Sequence, residues 1–306
     1  MEIFLSLIIK LIPFYIIIFL GFIAGKTLPA KKETFASILI YIIAPVIVFH
    51  GAVTTKITLA TLSLPVVFYM VCCFVCLLFY LLAKSIWSDA TKNILAFAAG
   101  SGNAGYFGLP VAVAIFGENV LGIVALIILA FILYENSLGF FITARGHHTI
   151  KESLIKIAKL PTIYTFIIGL LLNLRGITLG QVYFETIGYF RGAYTIMGMM
   201  LIGLGLSEIT EYKFDIKFTA MTFLSKFVVW PIIILLIIFA DNSLFKLYDP
   251  SIHKIMMLIS IVPIAANTVA YATILRAHPD KASVAVLLTT LFALFYIPFL
   301  TINFLK

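Results

Sequence analysis

Apolar residues in this chain run unbroken for about twenty positions at a time, and polar residues collect between the runs. Within a run there is no strict apolar–polar alternation, so the two-residue period of a half-buried strand is missing. A helix of about 20 residues crosses the hydrocarbon core of a bilayer. Ten such segments are predicted, at 3–25, 34–54, 62–83, 93–116, 119–143, 160–174, 186–206, 216–240, 252–275 and 282–304. The connections are short and leave no room for a soluble domain. The longest, 144–159, mixes basic and apolar residues as a helix lying on the membrane surface does, and a plain tether explains it equally well. The expected fold class is an all-α membrane protein with about ten transmembrane helices.

Composition agrees with the pattern. With 63% hydrophobic and 11% charged residues, a soluble globule of 306 residues would have more apolar surface than it can bury. Lipid offers the backbone no hydrogen-bond partners, so the spans must be helices rather than open strands. The net charge of +8 does not point to nucleic acid, because the basic residues stand singly between apolar runs. They report orientation instead. With the N-terminus outside, thirteen Lys and Arg fall in inner connections and five in outer ones, which places both termini outside and the linker 144–159 in the cytoplasm of a plasma-membrane protein. The first run contains Lys10 and has no clear cleavage site, so it reads as a span. Cys72, Cys73 and Cys76 lack the further ligands that a metal site wants, and read as thiols on a membrane helix. No phosphate loop, metal-binding HExxH or Ser/His/acid arrangement is visible. Neither enzyme chemistry nor a cofactor is expected.

Two predicted spans are interrupted. The fourth contains Gly100-Ser-Gly-Asn-Ala-Gly-Tyr-Phe-Gly-Leu-Pro110, and the ninth contains Pro263-Ile-Ala-Ala-Asn267-Thr268. The two prolines lie 153 residues apart, close to the spacing between the other corresponding spans. Five spans followed by five make two repeats, 1–143 and 160–306, in opposite orientations. Inverted repeats with one broken helix each mark carriers built around a midplane site. Gly102, Gly105, Gly108 and Pro110 break the fourth span, and Pro263 the ninth. Pro110 is expected to restart one half-helix and Asn267-Thr268 to cap another, so that two helix N-termini converge on an anion. Asn103, Ala104, Tyr106, Asn267 and Thr268 are the expected substrate-binding residues. Simple kinks, with the asparagines bonding between helices, are the alternative.

Three stretches resemble the auxin efflux carrier family, the plant carriers and their bacterial and archaeal relatives. They are Pro45-Val-Ile-Val-Phe49-His50, Gly102-Asn103 through Gly108-Leu-Pro110, and Pro263 through His278-Pro279-Asp280. The chain departs from the plant carriers in its short central connection and in lacking their acidic residue in the third helix. The resemblance implies ten helices in two inverted repeats, with helices four and nine crossing at their prolines. It also implies a mobile transport domain, a scaffold, and a homodimer formed through that scaffold. Auxin and, in prokaryotic relatives, dicarboxylates such as malate and malonate are the substrates it suggests. Sodium- or proton-coupled carriers of the bile-acid symporter or cation/proton exchanger kind, and an uncoupled channel, are the alternatives.

Few charges fall inside the spans. Glu135 is the only acidic residue well within one, and Lys226 lies at a similar depth, roughly 12–13 Å from the inner surface at 1.5 Å per residue. They are expected either to pair, directly or through water, or to part, Lys226 snorkelling to the interface and Glu135 facing a watery cavity. Lys10 and Arg191 are expected to snorkel outward. His50 reads either as a pH-sensitive group or as a satisfied polar residue between helices. Gly198, Gly203 and Gly205 suggest close helix packing, and Trp87 the inner aromatic belt.

Overall fold

A computed structural model of the chain describes residues 2–54, 59–117, 120–147, 149, 151–152, 155, 158–207 and 215–300. These residues form helices and connections, with no strand among them. In chain order the helices are α1 (Glu2–Thr27), α2 (Lys32–Thr54), α3 (Leu59–Lys84), α4 (Thr91–Gly100), α5 (Leu109–Phe116), α6 (Leu121–Glu135) and α7 (Leu138–Ala144). There follow α8 (Pro161–Leu174), α9 (Gln181–Ser207), α10 (Ile216–Phe245), α11 (Pro250–Ser260), α12 (Asn267–Ile274) and α13 (Pro279–Leu300). Among the described residues, six helical stretches are long and apolar enough to cross a membrane: α2, Leu62–Lys84, Ile123–Ala144, α9, α10 and α13. Tyr15–Thr27 and Tyr164–Leu174 are shorter apolar helices. The predicted spans at 93–116 and 252–275 are each split into two helices.

Local chemistry sets the boundaries. Pro161 opens α8 and Pro250 opens α11, where a missing N–H loses nothing. The Asp249 carboxylate accepts from the amides of Ser251 and Ile252 at 2.8 and 3.0 Å, and Asp215 from that of Phe218 at 2.9 Å. Gly176, at φ +67°, ends α8 in the left-handed conformation that glycine tolerates. The expectation of a surface helix at 144–159 falls partly outside the described residues. Within it, Thr149 and Glu152 form a capping box, with Glu152 Oε2 accepting from the Thr149 amide at 2.8 Å and Thr149 Oγ1 from the Glu152 amide at 3.3 Å.

Three widened π-turns follow one rule. Leu39–Ile43, Ala104–Gly108 and Ser225–Val229 each end two residues before a proline, namely Pro45, Pro110 and Pro231. A proline cannot donate to the carbonyl four residues back and crowds it, and the wider turn absorbs both defects. Each such turn also rotates the face presented by the residues around it.

Helices α1 and α9 pack backbone to backbone. A Cβ on Gly203 would run into the Ile18 carbonyl, and one on Gly21 into that of Met200. Gly205 packs against Ser283 of α13, as its small size suggested. One apolar core gathers Phe68, Phe79, Phe131, Tyr134, Trp230 and Met256, and a second gathers Ile18, Leu39, Met199, Val269, Tyr271 and Val286. Large apolar side chains also point outward, Phe239 at 71% and Phe19 at 60% exposure, as a bilayer-facing surface requires.

Polar clamps tie the helix ends. Lys281 Nζ reaches Asp215 Oδ2 and Thr91 Oγ1, both at 2.9 Å, and joins α13 to the starts of α10 and α4. His278 Nε2 lies 3.0 Å from Asp89 Oδ2 beside them. Desolvation raises the Asp215 pKa, but the Phe218 amide and the Lys281 ammonium outweigh it and hold the carboxyl below its ordinary value. Elsewhere the buried Asp241 carboxylate accepts from His253 at 2.9 Å and from the amides of Leu247 and Tyr248 at 2.9 and 3.2 Å.

Candidate functional site

The two interruptions meet. Helix α4 ends at Gly100, Ser101 is extended (φ −91°, ψ 165°), and helical turns resume at Ala104. Helix α11 ends at Ser260, and α12 starts at Asn267. Between them, the Asn103 amide donates to the Pro263 carbonyl at 2.8 Å. The Ala265 amide reaches Ser101 Oγ at 3.4 Å, and that hydroxyl lies 3.3 Å from Thr268 Oγ1. The Asn103 carbonyl accepts from the amides of Phe107 and Gly108, at 3.3 and 2.8 Å. Unwound backbone that lipid could not satisfy is thus satisfied by the opposite unwound segment.

Two local expectations are corrected. Pro110 does not restart a half-helix: it is the second residue of α5, and the break lies at Ser101–Asn103, where Gly100 and Gly102 stand. The glycines release the helix, and the proline only widens the turn before it. Asn267-Thr268 does not cap α12. Ala266 holds the cap position, and the Asn267 side chain points sideways, its Nδ2 donating to Glu135 Oε2 at 2.7 Å and to Tyr194 Oη at 3.3 Å.

Around the crossing is a void of about 20 Å³ bordered by Gly102, Asn103, Ala104, Gly105, Glu135, Tyr194 and Asn267, among others. The structure therefore brings Asn103, Ala104, Gly102, Gly105, Asn267 and Glu135 together. Thr268 joins through Ser101, Pro263 through its carbonyl, and Gly108 packs against Ile259 and Val262. The side chains of Tyr106 and Pro110 lie outside those described.

A larger cavity of about 110 Å³ adjoins the void and shares Gly105, Ile128, Ile132 and Tyr194 with it. Aliphatic side chains make most of its wall, and His50 and Arg191 supply its polar edge. Arg191 Nη2 lies 2.6 Å from His50 Nε2, and His50 Nδ1 lies 3.2 Å from Tyr183 Oη. A guanidinium can only donate, so Nε2 is the acceptor and Nδ1 carries the hydrogen toward Tyr183. His50 is a satisfied polar residue between helices, one of the two expected readings. Arg191, expected to reach outward, is exposed and also borders the cavity, where its Nη2 meets His50. The Lys10 side chain lies outside those described. Tyr194 escaped the sequence reading. It stands three residues after Arg191 on α9, a spacing that puts both on one helix face.

Glu135 and Lys226 make no direct ion pair. Helix α6 ends at Glu135, which aims the carboxylate at the first turn of α12. Lys226 does not snorkel either. It is fully buried in the π-turn of α10, with Nζ 4.3 Å from the centre of the Trp230 ring and 5.6 Å from that of Phe131. Among the described residues Nζ has no hydrogen-bond acceptor. A Cβ on Gly102 would lie 3.0 Å from it, so the ammonium lies directly against the unwound segment.

Chemically, the arrangement offers amide donors, a helix N-terminus and two cations around interrupted backbone at the middle of an apolar chain. Comparison with known proteins points the same way. A protein named as an uncharacterized transporter of Methanocaldococcus jannaschii is 28% identical over 296 residues, 92% of this chain and 94% of that relative. The family model described as membrane transport protein matches residues 142–301, more than half of the chain, and so the chain belongs to that family, the family of the auxin efflux carriers.

Proposed function

We infer that the protein is an alternating-access secondary transporter that exports or exchanges a small organic anion, such as a mono- or dicarboxylate, across the plasma membrane. The observation that carries this reading is the direct bond between the two interrupted segments, Asn103 amide to Pro263 carbonyl at 2.8 Å. Broken helices joined in this way belong to carriers whose substrate sits at the junction of two inverted repeats. On this reading the repeats are 1–143 and 160–306, ten spans in all, with both termini outside. The α12 N-terminus and the side-chain amides of Asn103 and Asn267 favour a carboxylate. The cavity beside Arg191 is its approach route, and the guanidinium attracts it there. A second copy would pack on α9, where Gly188 and Gly192 stand one turn apart on an exposed face with open space beside them.

A thermal-shift screen of the purified protein tests the reading. Mono- and dicarboxylates, as sodium and as choline salts at two pH values, should raise the melting temperature in a saturable way, because a ligand of the folded state stabilises it by mass action. Absence of a shift with every carboxylate would refute it. In reconstituted vesicles a carrier saturates with substrate, whereas a channel gives flux that rises without limit.

A further inference from the structure

Two features of the crossing are unusual together. Helix α12 presents its N-terminus and the Asn267 amide, the place where an anion is favoured, and the Glu135 carboxylate of the protein itself takes it, at 2.7 Å from Asn267 Nδ2. At the other unwound segment, against Gly102, the Lys226 ammonium is fully buried, and among the described residues it has no hydrogen-bond acceptor. Holding a cation in an apolar interior against the Trp230 and Phe131 rings, with no ion pair, is expensive, and buried charges in membrane proteins persist where function uses them. Gly102 stands near both groups: it borders the same void as Glu135, and a Cβ on it would lie 3.0 Å from Lys226 Nζ. Phe131, whose ring faces the ammonium, stands one helical turn before Glu135 on the same face of α6. The helix ends at Glu135 and resumes at Leu138, with a non-helical Ser137 (φ −127°, ψ −101°) between, so the backbone bends directly after the carboxylate.

We propose that Glu135 is a tethered stand-in for the transported anion, and that substrate binding transfers its carboxylate from Asn267 to Lys226. The incoming carboxylate takes the Asn267 amide and the α12 N-terminus. Like charges repel at that distance, so Glu135 leaves, and the unmatched ammonium around Gly102 receives it. The exchange keeps each buried charge matched while the substrate is carried, and it requires no sodium ion to balance the site. It rests on the organic-anion reading above and adds the role of the two membrane charges to it.

Mutant epistasis in anion affinity tests this. Melting temperatures of purified protein are titrated with the choline salts of acetate, benzoate, malonate and malate, for wild type, Glu135→Gln, Lys226→Met and the double variant. Removing the stand-in should tighten binding about tenfold in Glu135→Gln, since substrate no longer competes for its own site. Lys226→Met should weaken binding about thirtyfold, because Glu135 then has no partner to move to. The double variant should recover to the Glu135→Gln level. A double variant as weak as Lys226→Met would mean that the lysine contacts substrate or only supports the fold, and would overturn the exchange, as would looser binding in Glu135→Gln. A wild type that responds to none of the four salts would overturn the anion reading, and the exchange with it. If Lys226→Met cannot be recovered folded, Lys226→Gln with and without Glu135→Gln carries the same comparison of signs.

Discussion

Gly100→Ala should damage the crossing, whereas Gly105→Ala, five residues on, should leave the fold intact. A Cβ on Gly100 would lie 2.5 Å from Tyr134 Oη and 2.6 Å from the Cys72 carbonyl oxygen. Carbon-to-oxygen contacts close up to about 3.3 Å, so α4 would have to move about 0.7 Å from α3 and from the Tyr134 ring. Forcing a methyl into packed structure costs about 1–3 kcal/mol. Displacing Tyr134 also loosens its hydroxyl from the Phe97 carbonyl at 3.1 Å, and a buried hydroxyl left without its acceptor costs about 1–3 kcal/mol. Replacing glycine in a helix gains back up to about 1 kcal/mol. The balance is a loss of about 3 kcal/mol, or roughly 5–10 °C in melting temperature for a chain of this size. On Gly105 the nearest atoms would be Tyr194 Cε1 at 3.6 Å and Ile128 Cγ2 at 3.9 Å, ordinary contacts. That substitution should keep the stability within about 1 kcal/mol of wild type while narrowing the cavity and slowing uptake into vesicles. Melting curves of both variants in the same detergent decide the matter. A wild-type curve for Gly100→Ala, or a large loss for Gly105→Ala, would refute the packing argument.

Arg191→Gln should keep the fold and weaken anion-dependent thermal stabilisation about tenfold, since a charge-assisted bond contributes about 1.5–3 kcal/mol; an unchanged titration would remove Arg191 from the approach route. Lys281→Met should lower stability at neutral pH by about 1 kcal/mol, and the gap from wild type should close in acid. The Asp215 carboxyl is held below its ordinary value, so its contribution is present above the unfolded pKa of about 3.9 and is lost as pH falls through the lower folded value; melting curves between pH 3 and 7 that stay parallel would contradict this. Gly188→Leu with Gly192→Leu should turn a dimer into a monomer in size-exclusion chromatography with light scattering, and an unaltered mass would place the subunit contact elsewhere.

Much of the helical architecture can be read in the sequence because lipid leaves the backbone few choices. Apolar runs of fixed length, closed by Pro161 or Pro250 at a first turn and by Gly176 at an end, mark where helices lie. What the sequence does not mark is the internal detail of the long helices. Leu39–Ile43 and Ser225–Val229 look like ordinary helix by hydropathy, and become π-turns because a proline two residues on removes one donor and crowds one carbonyl. The fourth span shows the same confusion at the site. Its proline is conspicuous, yet the break sits seven residues earlier at Ser101–Asn103, since a proline distorts a helix locally whereas a Gly-Ser-Gly run gives it little reason to continue.

The meeting of the two breaks was foreseeable, and the partners of the charges were not. Any unwound stretch inside a bilayer must find polar partners within the protein, and a second unwound stretch at the same depth is the nearest supply. Two breaks in matched positions therefore imply one junction, as the Asn103–Pro263 bond shows. Depth, however, is one coordinate of three. Counting along the predicted spans gives Glu135 and Lys226 a similar depth, and passing from equal depth to a salt bridge assumes that their side chains also face each other. Bearing around the helix axis follows from every residue between a reference turn and the side chain, and Lys226 lies over Trp230, four residues on along the same helix. The helix end at Glu135 turns its carboxylate to Asn267. Two charges buried at one crossing, one bonded to Asn267 and the other against Gly102, suit the proposed exchange, in which they are alternating partners rather than a failed pair.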